Sequence, residues 1–384
     1  MVRWNRVLLL LVFFAALTPA VAFAAVASAP PVVRGKVVAV QDKISSNGGS
    51  AVLSQGTEVL TVRLSNGAHA GQEVQAQATI LDFSQAAQRF KPGDQVYLSS
   101  APSPTAGQPD EYYVIDRVRT TPLLILAGGF ALLILLMSRW KGLRSLIGMA
   151  FTFFVLVEFL MPRILDGDNP VVVSLIAAFL IFGVTLFLVH GIGRMTVAAV
   201  SGTTMSLVLT AILAVLFVTL TQLTGLGSEE AGYLQAPIGG GTIDPRGLLL
   251  GGIIIGALGV LDDVTVSQSS TVFELRKANP AYTMQRLFTS GINVGRDHIA
   301  TTVNTLVLAY VGAALPLLLL FTRTDQPFML ILNREEVTEE IVRTLVGTIG
   351  LVTAVPFTTF VASWLAVRTN PGEIEESGHG HHHH

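Results

Sequence analysis

This 384-residue sequence predicts an α-helical polytopic membrane bundle of seven or eight transmembrane helices, with a small extracytoplasmic all-β domain of OB-like barrel type. Three observations predict it. Hydrophobic residues make up 51% of the chain and charged residues only 13%, a balance suited to several spanning helices with little water-exposed surface. Apolar runs recur through the latter part of the chain at about the 20 residues a helix needs to cross roughly 30 Å of hydrocarbon. Residues 31 to 120 differ in kind, with short alternating runs such as TEVLTVRL and VQAQATIL between SNGG, SNG and KPGD turn signals. A net charge of −2, with no polybasic cluster, excludes a nucleic-acid partner. The absence of cysteine excludes disulfides, thiolate metal sites and cysteine nucleophiles.

In chain order, residues 1 to 27 read as a signal peptide or a signal-anchor helix. A short basic start precedes an apolar run, and Ala22-Phe23-Ala24 has the small-x-small form of a cleavage site. Five strands are expected at about 32–41, 57–64, 74–81, 94–99 and 112–119, and closing them into a barrel removes exposed edges. The barrel reads as a scaffold or docking module. Across the transmembrane region, residues 121 to 370, apolar segments fall at 123–138, 142–161, 170–190, 196–224, 248–275, 296–321 and 341–366. Basic residues set their orientation. Arg3, Arg6, Arg139, Lys141, Arg144, Arg194, Arg276, Lys277, Arg286, Arg296 and Arg368 fall on one side, which is therefore cytoplasmic. The C-terminus then lies inside and the barrel outside a multi-pass protein of the plasma membrane. Residues 371 to 384 form a His-rich tail, read as either a disordered metal-gathering sequence or a tag remnant.

The most informative segment is GIIIGALGVLDDVTVSQSSTVFEL. Asp262 and Asp263 sit inside an apolar helix, and an intramembrane acid costs a few kcal/mol unless it lines water, holds a cation or takes a proton. Helical spacing puts Asp263, Ser267, Ser270 and Glu274 on one face with Asp262 and Ser269 close to it. Upstream, Gly252, Gly256 and Gly259 form a small-residue stripe expected to pack another helix. A second segment, SGINVGRDHIATTVNTLVLAYVG, enters with Arg296, Asp297 and His298 and then shows Thr301, Asn304 or Thr305, and Leu308 at helical spacing. In SGTTMSLVLT, Ser201, Thr203 and Thr204 are placed to meet the other two. The polar faces of the three helices are expected to converge on one cavity, because none of them suits lipid. Glu158 reads equally as an interfacial acid and as an ion ligand.

Together these three motifs resemble the YibE/F family of bacterial polytopic membrane proteins over about residues 120 to 366. The resemblance implies a membrane core centred on these acids and on the GRD-NT-LAY run, preceded by an extracytoplasmic β region, and it puts more weight on Asp263 than on Asp262. It names no substrate.

The leading expectation is a transporter or channel coupled to a small cation or proton, with Asp263 binding or titrating. Asp262, Ser267, Ser270, Glu274, Asp297, Thr301 and Asn304 would line the path. One alternative is an assembly scaffold displaying the β domain. Another is an intramembrane aspartyl protease pairing Asp263 with Asp297, disfavoured because the two acids are expected at different depths. No H-E-x-x-H, G-x-S-x-G or phosphate-loop motif is present, so neither an enzyme nor a cofactor is expected, and the metal is left unspecified. The expected partners are the lipid bilayer and a small ion or proton, with self-association left open.

Overall fold

The computed structural model describes residues 32–41, 54–67, 69–82, 89–101, 110–234, 243–323 and 326–369. The expected leader or anchor over residues 1–27 and the His-rich tail over 371–384 lie outside the described residues. The chain divides into two compact units, Met1–Leu133 and Ile134–His384.

In the first unit, strands β1 (Val32–Gln41), β2 (Ser54–Leu64), β3 (Glu73–Asp82), β4 (Gln95–Ala101) and β5 (Glu111–Arg117) close a barrel in the order β1-β2-β3-β5-β4. Every neighbouring pair is antiparallel except β3 and β5. Period-two alternation builds the interior: in β2, Leu60 and Val62 are fully buried, while Arg63 between Val62 and Leu64 points out to pair with Glu73 of β3 at 2.7 Å. Val37, Ala76, Val96, Leu98 and Tyr112 complete the same small core. The β2–β3 turn carries Gly71 at φ +88, a conformation glycine adopts without penalty.

The remaining elements are helical: α1 (Thr120–Phe154), a π-helical turn (Val155–Leu160), α2 (Met161–Leu165), α3 (Pro170–His190), α4 (Arg194–Leu220), α5 (Glu229–Leu234), α6 (Pro245–Ala278), α7 (Met284–Ala313), α8 (Leu315–Thr322), α9 (Phe328–Leu332) and α10 (Glu335–Val367). Local chemistry sets several starts. Asn169 and Asp244 each cap a helix by accepting backbone N–H bonds, and in both cases proline follows as the first helical residue.

Among the described residues five helical stretches are long and apolar enough to cross a membrane: Thr120–Leu165, Pro170–His190, Arg194–Leu220, Pro245–Ala278 and Glu335–Val367. The bent pair α7 and α8, at 63°, makes up to six. The seven expected over residues 123–366 count the two parts of Thr120–Leu165 as separate spans, and the eighth expected segment falls in residues 1–27, outside the described residues. The segments expected at 123–138 and 142–161 both lie in the stretch Thr120–Leu165, whose 46 residues would reach roughly 69 Å if straight. It is not straight, because Arg139 breaks it at φ 46, ψ −123. Residues eight apart in a straight helix are separated by about 12 Å. Here a Cβ at Gly142 would stand 2.6 Å from the Ile134 carbonyl oxygen, so the chain turns sharply at Arg139.

In the second unit α4, α6 and α10 pack around one another. Gly202 lies against Thr358 and Gly350 against Thr210, which makes α4 and α10 antiparallel. Thr203 meets Thr265 and Ser269 meets the Met195 carbonyl, so α4 and α6 are antiparallel as well. The helix α3 joins in parallel to α6, with Pro170 beside Gly247 and Ser174 beside Gly251. At one end of this unit Arg194, Arg276, Lys277, Arg286 and Arg368 gather, and Arg194 Nη1 donates to the Arg368 carbonyl at 2.7 Å. At the other end the Glu335 carboxylate accepts from the N–H and hydroxyl of Thr224, each at 2.6 Å, and Glu339 accepts from the Gly227 N–H at 3.1 Å, fastening the loop after α4 to the start of α10.

The glycine stripe expected to pack is set aside by this geometry. A Cβ at Gly252 or Gly259 would meet nothing within 4 Å, and one at Gly256 would meet only the Tyr310 hydroxyl at 3.6 Å. The packing positions are Gly247, where a Cβ would stand 3.0 Å from the Pro170 ring, and Gly251, one residue before Gly252, where it would stand 2.5 Å from Ser174 Oγ. Gly202→Val should therefore collapse the thermal transition of the purified protein, because its side chain would enter the space of Thr358. Gly252→Val should shift it by no more than about 0.5 kcal/mol, the range of an uncoupled surface change.

Candidate functional site

Asp262 and Asp263 line a groove of about 710 Å³ formed by α1, α3 and α6. From α1 come Ser145, Gly148, Met149, Thr152 and Phe153; from α3, residues from Ile181 to His190; from α6, Ile255, Leu258, Gly259 and Val266 beside the two acids. Asp262 is half-buried and its Oδ1 is fully enclosed without a hydrogen-bond partner, whereas Asp263 is exposed along the same wall. Among the described residues neither carboxylate has an ion-pair partner.

The register between α3 and α6 fixes the depth of the pair. Extending the Ser174 to Gly251 alignment makes Asp262 level with Thr185, five residues or about 7.5 Å before α3 ends at His190. The carboxylates therefore stand about one turn inside the basic end of α3, and the groove continues inward from them past Leu258 and Phe182.

The second expected segment is placed differently. Its helix begins at Met284, capped by Thr283, so Arg296, Asp297 and His298 do not open it but lie about 18 Å along it. Gly291 packs beside Gln268 and the Tyr310 hydroxyl approaches Gly256, so α7 runs antiparallel to α6 and Asp297 sits at about the depth of Asp263. This overturns the difference in depth read from the sequence. The two acids still do not meet. Ile292, Ile299 and Val303 pack against the bundle core, and at 100° per residue Asp297, Thr301 and Asn304 project away from that inward face, all exposed. Thr301 Oγ1 donates only to its own helix, to the His298 carbonyl at 3.0 Å.

On α6, Ser267 and Glu274 are exposed and Ser270 is half-buried, on the same side as Asp263. None of the three bonds across to another helix among the described residues. Of the hydroxyls expected from SGTTMS, Ser201 and Thr204 donate back to the Val197 and Val200 carbonyls, each at 2.8 Å. Thr203 alone reaches another helix. The expected convergence of three polar faces on one cavity is thus not what the fold makes. The acid pair faces α1 and α3, and the stripe of α7 faces outward.

A different set of polar residues fills the interface between helices. Thr203 and Thr265 hydroxyls lie 2.7 Å apart, and Ser269 Oγ donates to the Met195 carbonyl at 2.8 Å. Gln268 donates from Nε2 to the Gly291 carbonyl at 2.8 Å and to Thr359 Oγ1 at 2.7 Å. Gly291 and Gly295 are bare where Gln268 lies against α7. The signal for this seam was present in the sequence, since Thr265, Gln268, Ser269 and Val272 recur at helical spacing. Acids draw attention by their cost; an amide and hydroxyls in an apolar run cost less and stand out less.

A polytopic membrane protein with a small five-stranded barrel and a carboxylate-lined groove between helices is the class that this fold and site define. The family described as YibE/F-like protein matches residues 126–368, well over half of the chain, and the protein belongs to that family. Among curated proteins and among solved structures, nothing matches.

Replacing Gln268 by Leu leaves the Gly291 carbonyl and the Thr359 hydroxyl without their shared donor. Such a loss is worth about 0.6 to 2 kcal/mol between membrane helices, so the thermal midpoint of Gln268→Leu in detergent should fall measurably. Asn304→Leu, which removes no cross-helix bond, should leave it in place.

Proposed function

We propose that this YibE/F-like protein is an integral membrane transporter or channel that moves a cation, or couples to a proton, at the Asp262–Asp263 groove. The observation that carries the reading is the pair of adjacent carboxylates, without a counter-charge among the described residues, on the wall of a groove of about 710 Å³. A carboxylate at helix centre costs about 2.5 to 3.5 kcal/mol in hydrocarbon, and water, a cation or a proton relieves that cost. His190 and the hydroxyls of Ser145, Thr152 and Thr185 share the groove, so it offers a polar track as well as two charges. In this reading Asp262 and Asp263 are the working groups; Ser267 and Glu274 continue their face toward the basic end.

The assembly-scaffold reading has an observation of its own. The outward stripe Asp297, Thr301 and Asn304 is poorly suited to lipid, and a second copy or a partner protein would cover it. A protease reading has less support, because Asp263 and Asp297 point in different directions and cannot share a proton as an aspartyl pair must. The gathering of basic residues at one end supports assigning that end to the cytoplasm and the barrel to the outside of the plasma membrane.

Purified protein in liposomes, screened with protons, monovalent cations and divalent metals, should conduct at least one of them. The doubly substituted Asp262→Asn/Asp263→Asn protein should lose flux at least about tenfold, about 1.4 kcal/mol or more, while keeping its thermal midpoint. Undiminished flux with the same pH dependence would remove the pair from the mechanism. Because the chain has no cysteine, topology can be read by single introduced thiols. A membrane-impermeant maleimide on intact cells should label Ser65→Cys in the barrel and spare Lys277→Cys; the reverse pattern would invert the orientation.

A further inference from the structure

We propose that the groove accepts amphiphilic organic cations, with the cationic centre at Asp262 and Asp263 and the apolar body directed toward the middle of the bundle. The proposal rests on the reading of this groove as the working site and names its substrate class. Volume is the first consideration. About 710 Å³ is far larger than a bare ion and lies within the range of pockets that hold organic ligands. Such pockets are mostly apolar with a few placed polar groups, and this one has that composition.

The arrangement of the lining is the second consideration. Helix α3 runs parallel to α6, and Gly148 of α1 packs beside Thr185 of α3. Going inward from the basic end, the wall passes from His190 to the carboxylates and then to Leu258, Phe182 and Phe153. Charge therefore lies near the mouth and apolar surface lies deep. An amphiphile standing in the leaflet at that end would have the same polarity gradient, with its head toward the membrane surface and its tail toward the midplane. The sign of the charge is set by two carboxylates with no ion-pair partner among the described residues, one of them with an enclosed oxygen that nothing satisfies. A compact metal ion is a poorer fit. It wants a close shell of several ligands, and no three His, Cys, Asp or Glu side chains gather to hold one among the described residues.

The test uses the full-length protein in nanodiscs with labelled tetraphenylphosphonium, and with tetraphenylborate as a control of the same shape and opposite charge. Saturable binding of the phosphonium and none of the borate is expected. Affinity should fall by about tenfold or more in Asp262→Asn/Asp263→Asn. It should fall similarly in Gly259→Leu, whose side chain enters open space on the groove wall and so does not depend on removing a charge. Equal uptake of both probes, or unchanged phosphonium affinity in both folded variants, would overturn the proposal. Small-cation flux by a protein that neither binds tetraphenylphosphonium nor is inhibited by it would sink this inference and leave the transport reading standing. Saturable phosphonium binding without flux of any cation would do the opposite.

Discussion

Close approach of α4, α6 and α10 is the constraint on which the helical unit depends. Lipid tails are as apolar as leucine, so helices in a membrane gain little from hiding leucine against leucine and must gain from tight packing and hydrogen bonds. Gly202 against Thr358 and Gly350 against Thr210 bring two backbones together, and Thr203 with Thr265 and Gln268 with Thr359 tie the third. A single methyl group at either glycine would fall inside its neighbour. The loop after α4 is then held by Glu335 and Glu339, so that the ends of two antiparallel helices are fastened where their packing finishes.

That packing also decides which face of α6 is left free. With Thr265, Gln268 and Ser269 committed to neighbouring helices, the adjoining face presents Asp262 and Asp263 to the space between α1 and α3. The carboxylates are therefore not buried glue. They sit about one turn inside the basic end of α3, at the head of a groove lined farther in by Leu258 and Phe182. The π-helical turn at Val155–Leu160 lies in the stretch that continues from the α1 wall of the groove; such turns often mark functional places in helices.

The same geometry turns the polar stripe of α7 outward. A helix with Asp297, Thr301 and Asn304 on its far side has an inner surface provided by Ile292, Ile299 and Val303 and an outer surface that lipid would not suit. Membership of the YibE/F-like family covers this whole region without naming its cargo. The groove and the outward stripe are thus separate features of the helical unit.

By itself the sequence determined the class of the molecule and its most conspicuous chemistry. Alternation marked five strands, because period two leaves one face for a core. Apolar length marked the helices, because hydrocarbon thickness sets it. Asp262 and Asp263 were legible because an acid in an apolar run is expensive wherever it ends up. How sharply the chain turns between the first two apolar segments was less legible, since Arg139 and Lys141 between two apolar runs look the same in composition whether a helix bends or continues. The entry of α7 was misread for a similar reason: its first turns are mixed in polarity and only the Thr283 cap and packing against α6 show that they are helical. What tertiary structure alone decided was azimuth. A helix of known length can be rotated about its axis without altering any pattern along the chain, and a shift of one residue, from Gly252 to Gly251, carries a glycine from open space into contact with Ser174. Which helices face the acids, which polar residues are spent on packing and which are left for a ligand all follow from that rotation, and it is set only when the neighbouring helices dock.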